Sequence, residues 1–205
     1  MSMSTGGMSV LVDANILLSR TLRDWTFLLS WHPRGTMYDI KWTEDVVTEY
    51  AYHRRKKVPF ASDAQLTDVR RKLIDNVPEG MISGFEIDPT LEYRDNEDAH
   101  LHAAAVHGDV DIILSQNVKD VRFADDLPYE VYTADEFFIL VDDSSPAIVA
   151  EVLEYQFAHW LRRKNASPND EHPTLPKRLE KAQAPQFAER VLRHIRESDL
   201  SFAVQ

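Results

Sequence analysis

The chain has 205 residues, 43% of them hydrophobic and 28% charged, which is enough apolar material for a core and excludes global disorder. It has no cysteine, so a disulfide framework, a thiolate zinc site, an iron–sulfur cluster and a cysteine nucleophile are excluded together, and the chain reads as cytoplasmic. With 23 basic against 34 acidic residues the net charge is −11, the reverse of what nonspecific coating of nucleic acid needs, so the carboxylates either solvate a surface or gather at a site.

Met1 to Gly7 is polar and reads as a disordered leader, and no later apolar run approaches the roughly 20 residues of a membrane span. Ser9 to Val12 (SVLV) predicts a strand ending at Asp13, and Ile16, Leu17, Leu18, Leu22, Trp25, Leu28 and Leu29 recur at helical spacing after it. Tyr38 to Trp42 predicts a second strand. Thr43 follows as an N-cap with Glu44 and Asp45 in the first turn of a helix that carries Glu49. Leu66, Val69, Leu73 and Ile74 predict a further helix that closes near Pro78 to Gly80. Asp95 to Asp98 opens a helix that Gly108 stops, and the β-branched run Val110 to Leu114 is a buried strand followed at once by Asn117 and Asp120. Tyr129 to Tyr132 is a fourth strand, and Thr133 to Glu136 begins another helix. Strands alternating with helices imply parallel pairing in an α/β/α arrangement. After Asp142 the alternation stops. Ser145 and Pro146 open a long helix, residues 165 to 176 read as a polar linker, and Phe187, Val191, Leu192 and Ile195 mark a last amphipathic helix. The expected organisation is a leader at 1–7, an α/β domain at 8–142 and a C-terminal α-helical extension at 145–200. The simplest role for the extension is to complete a core, and the alternative is a lid or partner surface.

In an open parallel sheet, ligands bind beyond the carboxyl ends of the strands. Asp13, Asn117 and Asp120 fall there, and Glu49 and Asp98, near the starts of helices, complete a ring of oxygens suited to Mg²⁺ or Mn²⁺. Each acid also has an ordinary reading: Asp13 as a helix cap, Asp95 and Asp98 as a helix cap and a dipole-compensating acid, Glu49 as a solvated helix residue, Asp120 as a turn residue. Their shared position on one rim favours the metal. His100 and His102 flank Leu101 and point to different faces, so they cannot serve one ion; His102 could pair with Asp98 one turn away, but reads better as a hydrogen-bonded histidine against the sheet.

At these residues the chain resembles the PIN-domain family, and within it the VapC-like toxins of bacterial toxin–antitoxin pairs. VLVDANILL (residues 10–18) resembles the opening strand with its Asp13 and the following Asn15, and WTEDVVTEY (42–50) the helix carrying Glu49. DNEDAHLHAAAVHGDVDIILSQNVKDV (95–121) resembles the most diagnostic segment, a first-turn Asp, a small-residue helix, an apolar strand and a Ser/Thr-x-Asn/Asp-x-x-Asp turn. The resemblance implies a PIN-like α/β/α sandwich with a central, mainly parallel sheet, and a ribonuclease with Asp13, Glu49, Asp98 and a carboxylate near residues 117–120 around Mg²⁺ or Mn²⁺. Asn117 stands where many relatives have Asp, which leaves Asp120 as the nearest ionised group, with Asp95 as an extra acid and Ser115 as a hydroxyl that orients an acidic neighbour. It implies partners too: an RNA substrate, a cognate antitoxin laid across the acidic groove, and a second copy of the chain.

An acidic nuclease must still hold RNA. His53 to Lys57 (HRRKK) follows Glu49 on one helix, so Arg54, Arg55, Lys56 and Lys57 are the expected phosphate contacts, with Arg70 to Lys72 and Arg162 to Lys164 as further basic clusters; each can equally be a solvated helix face. The competing functional class is a catalytically silent or regulatory metal-binding α/β module. A phosphoryl-accepting receiver wants adjacent acids after the first strand and a late lysine, whereas Asp13 is followed here by Ala14 and Asn15.

Overall fold

The computed structural model describes residues 7–31 and 37–198, so the expected leader lies outside the described residues apart from Gly7, as do residues 199 and 200 of the expected extension. Four strands form one sheet: β1 (Met8–Val12), β2 (Tyr38–Lys41), β3 (Ile112–Leu114) and β4 (Glu130–Tyr132), in the order β2-β1-β3-β4. Every pairing is parallel, and Val10 at the centre faces Ile40 on one side and Ile112 on the other. Leu11, Val12, Ile113 and Leu114 are fully buried, because helices cover both faces of the sheet and leave neither to water. The chain is thus an α/β/α sandwich around a parallel sheet. It leaves β1 for one neighbour and returns on the opposite side as β3, which puts the topological switch point between the carboxyl ends of β1 and β3.

The apolar period from Ile16 to Leu29 predicts one helix, but the chain forms two, α1 (Ala14–Leu18) and α2 (Arg20–Ser30). Ser19 divides them, since its hydroxyl accepts from Leu22 N–H and caps the second helix. α3 (Glu44–Lys57) is capped by Thr43, and α4 (Asp63–Asn76) by a reciprocal capping box of Ser62 and Gln65. A 3₁₀ turn at Asn96–Asp98 leads into α5 (Ala99–His107), and a single helical turn, α6 (Val118–Val121), stands where a plain turn was expected. α7 (Ala134–Ser144) and α8 (Pro146–Ala166) follow. The linker expected at 165–176 ends early: Leu175 and Pro176 already belong to α9 (Leu175–Lys181), because proline fits a helix's first turn, where its missing N–H costs nothing. The last helix is α10 (Pro185–Glu197).

Helices α8, α9 and α10 share their core with the sheet's helices. The Phe187 ring of α10 meets Trp25 of α2 edge-on at 5.0 Å and Phe138 of α7 at 5.1 Å, and all three side chains are buried. Burial of such a side chain contributes about 1.5–3 kcal/mol. Polar anchors fix α10 on α7: the Asp135 carboxylate accepts from the backbone N–H groups of Gln186 and Phe187 at the start of α10, and Asp142 takes His194 at 2.6 Å and Arg190 at 3.4 Å. Among the described residues no helix is long and apolar enough to cross a membrane.

Candidate metal centre

Asp13 leaves β1 at the switch point. Its N–H extends the β1–β3 ladder by bonding to Leu114 C=O at 3.0 Å, while its side chain makes no capping bond to α1. The cap reading of Asp13 therefore does not describe this carboxylate. The Ser115 hydroxyl, just past β3, donates to it at 2.5 Å, and the Asn15 side-chain amide does so at the same distance. Asn15 also accepts from Gln116 N–H at 3.0 Å, and Ser115 accepts from Asn117 N–H at 2.9 Å, so the two turns beyond β1 and β3 are stitched together through side chains. Asp13 is only 2% exposed, and burial, reinforced by the nearby charge of Glu49, pushes its carboxyl up to about 6 against the hydrogen bond from Ser115.

Asp98 sits between the 3₁₀ turn and α5 and likewise makes no side-chain capping bond. Burial first, then the charges of Asp13, Asp95 and Glu49, push its carboxyl up to about 7. Carboxylate oxygens of Asp95, Asp98 and Asp120 lie within 4.8 Å of one another. Asp95 differs from its neighbours, since it also caps the 3₁₀ turn by accepting from Glu97 N–H at 2.9 Å. Asn117 turns its amide nitrogen toward Asp98 at 3.4 Å and so meets that carboxylate as a neutral donor.

Glu49 faces this group from α3. His53, one turn on, lies 3.4 Å from one of its oxygens, and His100 from α5 lies 3.8 Å from the other. Burial opposes the His100 imidazolium, but Glu49, Asp45 and Asp13 outweigh it and raise its pKa; its Nδ1 is buried without a hydrogen-bond partner. Sequence reasoning set His100 aside. Helical periodicity separates its face from that of His102 but says nothing of α3, which supplies Glu49. His102 instead meets the Tyr129 hydroxyl at 2.9 Å and packs among Tyr93, Phe123 and Tyr129, away from any pairing with Asp98.

The donor set is hard oxygen throughout, and the charged neighbours that act most on Asp13 and Asp98 are further carboxylates, with His100 acting in the opposite sense on both. Such a cluster fits a divalent cation of the Mg²⁺ or Mn²⁺ kind, whose charge would offset that repulsion. Of the four basic residues expected to meet phosphates, Arg55 instead braces the turn after α3, donating to the carbonyls of Pro59 at 3.0 Å and Ala61 at 2.7 Å. Lys56 lies 4.8 Å over the Tyr52 ring, Lys57 is exposed at the end of α3, and Arg54 faces a cavity between α3 and α4.

No curated protein and no solved structure matches the chain. The family model described as the PIN domain matches residues 9–119, more than half of the 205 and inclusive of Asp13, Glu49, Asp98 and Asn117, with the match ending one residue short of Asp120. With that match and a parallel sheet gathering acids at its switch point, the chain belongs to the PIN-domain family, whose members are generally nucleases and often metal-dependent.

Proposed function

We propose that this chain is an endoribonuclease that hydrolyses RNA phosphodiester bonds with Mg²⁺ or Mn²⁺, and that it is the cytoplasmic toxin of a VapC-like toxin–antitoxin pair. The observation that carries the hydrolytic reading is the convergence of Asp95, Asp98 and Asp120 beside Asp13 and Glu49, where burial, with neighbouring carboxylates adding to it, holds Asp13 and Asp98 far above the ordinary carboxylate range. Asp95, Asp98 and Asp120 would hold the cation, with Asp13 and Glu49 completing the site. A divalent cation there supplies two things, a lower pKa for a water and neutralisation of the charge that develops on the scissile phosphate. The protein does the rest. Ser115 and Asn15 hold the Asp13 carboxylate in place, Asn117 steadies Asp98, and His53 and His100 flank the two oxygens of Glu49. Arg54 and Lys57, uncommitted to the loop that occupies Arg55, receive flanking phosphates.

The toxin role rests on the likeness of residues 10–18, 42–50 and 95–121 to VapC-like proteins. An antitoxin that lays a basic side chain into this acidic crevice would be complementary in charge. A homodimer is the assembly this reading carries. The test is cleavage of labelled RNA by the purified chain with Mg²⁺, with Mn²⁺ and with EDTA, alongside mapping of cellular RNA 5′ ends after expression of the parent and of Asp13→Asn. Metal-dependent cleavage and new 5′ ends only with the parent are expected. Full cleavage in excess chelator overturns the mechanism, and 5′ ends identical in the two strains overturn the toxin role.

A further inference from the structure

Two cavities open side by side on the face made by α2, α3, α4 and α8. The first, of about 300 Å³, has Phe27 and Trp31 at the end of α2, Val69 and Leu73 on α4, and Tyr155 and His159 on α8. Trp31 is 43% and Tyr155 57% exposed, so two large rings at this pocket stand open to solvent. The second cavity, of about 570 Å³, shares Arg20, Arg23, Asp24 and Lys72 with the first and continues past Arg71 and Arg54 to Tyr50 and Leu18. Tyr50 adjoins Glu49, and Leu18 ends the five-residue helix that begins beside Asp13, about 7.5 Å of helix away. An aromatic pocket and a basic channel therefore adjoin, and the channel ends on α1 and α3, the elements next to Asp13 and carrying Glu49.

The charge of this channel runs against the rest of the molecule. Five cations, Arg20, Arg23, Arg54, Arg71 and Lys72, face two carboxylates, Asp24 and Asp68, in a chain where acids outnumber bases 34 to 23. Arg71 and Lys72 divide one carboxylate, Asp68, between them, each at 2.8 Å, which leaves positive charge in excess. The excess extends onto α9, where burial and then the charges of Arg163 and Arg20 lower the pKa of Arg178. The α8 wall lies outside the stretch that matches the PIN domain, so this pocket is built in part by the chain's own C-terminal helices.

We infer that this channel binds a single-stranded polynucleotide, an unpaired base resting against Trp31 and Tyr155 while phosphates track Arg20, Lys72, Arg71 and Arg54 toward the acidic centre. Exposed rings beside a basic groove are the chemistry that holds single strands, since every base has a face to stack, whereas duplex bases are stacked on each other. The inference rests on the nuclease reading for the direction in which the strand runs.

The test is fluorescence anisotropy of the full chain in EDTA with a labelled ten-nucleotide RNA, the matching single-stranded DNA, an RNA duplex and a polyglutamate peptide. Tight binding of single strands is expected, with duplex and peptide at least about tenfold weaker, and the two single strands report whether the sugar is distinguished. Arg20→Gln with Arg71→Gln and Lys72→Gln, whose side chains are 61–65% exposed in the parent, should weaken RNA binding about tenfold or more and flatten its salt dependence by about three contacts' worth, a change of about 2 in slope. Tyr155→Ala should weaken it about fivefold or more without changing the salt slope, and Tyr155→Phe should restore it. Mn²⁺ affinity, measured by calorimetry, should stay at the parent's value in all of them. Groove variants that bind RNA like the parent, or a duplex or peptide bound as tightly as single strands, overturn the channel. If RNA binds through these residues but is never cleaved with Mn²⁺, the channel stands and the nuclease reading falls; if the parent cleaves while the variants bind unchanged, the reverse holds.

Discussion

Asp13 in the metal centre and Asp135 and Asp142 beneath α10 are buried to nearly the same degree, at 2%, 6% and 4% exposed, yet they have opposite surroundings. Asp135 is met by two backbone N–H groups and Asp142 by His194 and Arg190, so each of these carboxylates finds its compensation inside the chain. Asp13 is met by a hydroxyl, an amide and other acids, and Asp98 by Asn117 and other acids. Burying a charge is tolerable when it is paired and costly when it is not. One set of acids is therefore compensated within the fold, and the other is left with excess negative charge that a proton or a bound cation would offset.

Exchanging the charge in each region should separate those roles most strongly. Asp98→Asn removes one of the crowded charges with little change in volume, so cleavage with Mn²⁺ should fall on the order of 10³-fold, the scale of losing a preorganised electrostatic group, while Tm at pH 8 holds or rises. A matching fall in Tm would mean that Asp98 is structural. Asp142→Ala should do the opposite. It strands His194 and leaves Arg190 with Asp143 alone, and should cost about 2–3 kcal/mol, a Tm drop of roughly 5–10 °C, with the cleavage rate retained below that temperature. Differential scanning calorimetry paired with the RNA assay measures both, and an unchanged Tm for Asp142→Ala would remove the contrast between the two regions.

The smallest effect is in pH. Both centre acids have folded-state pKa values above their ordinary one, near 6 for Asp13 and near 7 for Asp98, so between about pH 4 and 7 the native chain holds protons that the unfolded chain has lost. Stability of the metal-free protein should then fall as pH rises through that window. His100, whose pKa is raised, adds in the same direction, since a stabilised imidazolium is lost as pH rises. Glu44 and Asp68, whose pKa values are lowered, complete their contributions below about pH 5, while His102, whose pKa burial lowers, works against the fall below its ordinary value of 6.5 as a single group against three. Between pH 5 and 8 in EDTA, Tm should drop by roughly 5 °C, and Mn²⁺ should restore more at pH 8 than at pH 5, because the cation binds the ionised site. A metal-free Tm that climbs from pH 5 to 8 would contradict the assignment of these two groups.

What the sequence alone determined was local. Four strands, the positions of Asp13 and Asn117 at their carboxyl ends, the capped starts of α3 and α7, and Glu49 on its helix follow from period, turn chemistry and capping, all of which act within a few residues. Breaks inside an apolar run were less legible: Ser19 splits one expected helix into two, and Leu175 starts a helix inside an expected linker, because a polar cap or a proline changes the backbone without changing the hydrophobic pattern. Tertiary structure decided the rest. Whether Asp13 caps α1 or faces the rim depends on Ser115, 102 positions away; whether His100 or His102 joins the acids depends on where α3 lies against α5; and Arg55 is held at the turn after α3 because Pro59 and Ala61 present carbonyls to it. The aromatic pocket and the basic channel together draw on α2, α3, α4 and α8, elements far apart in the chain. Periodicity tells which face of a helix is apolar, but which foreign side chains meet its polar face is set only when the core packs and brings distant segments to one place.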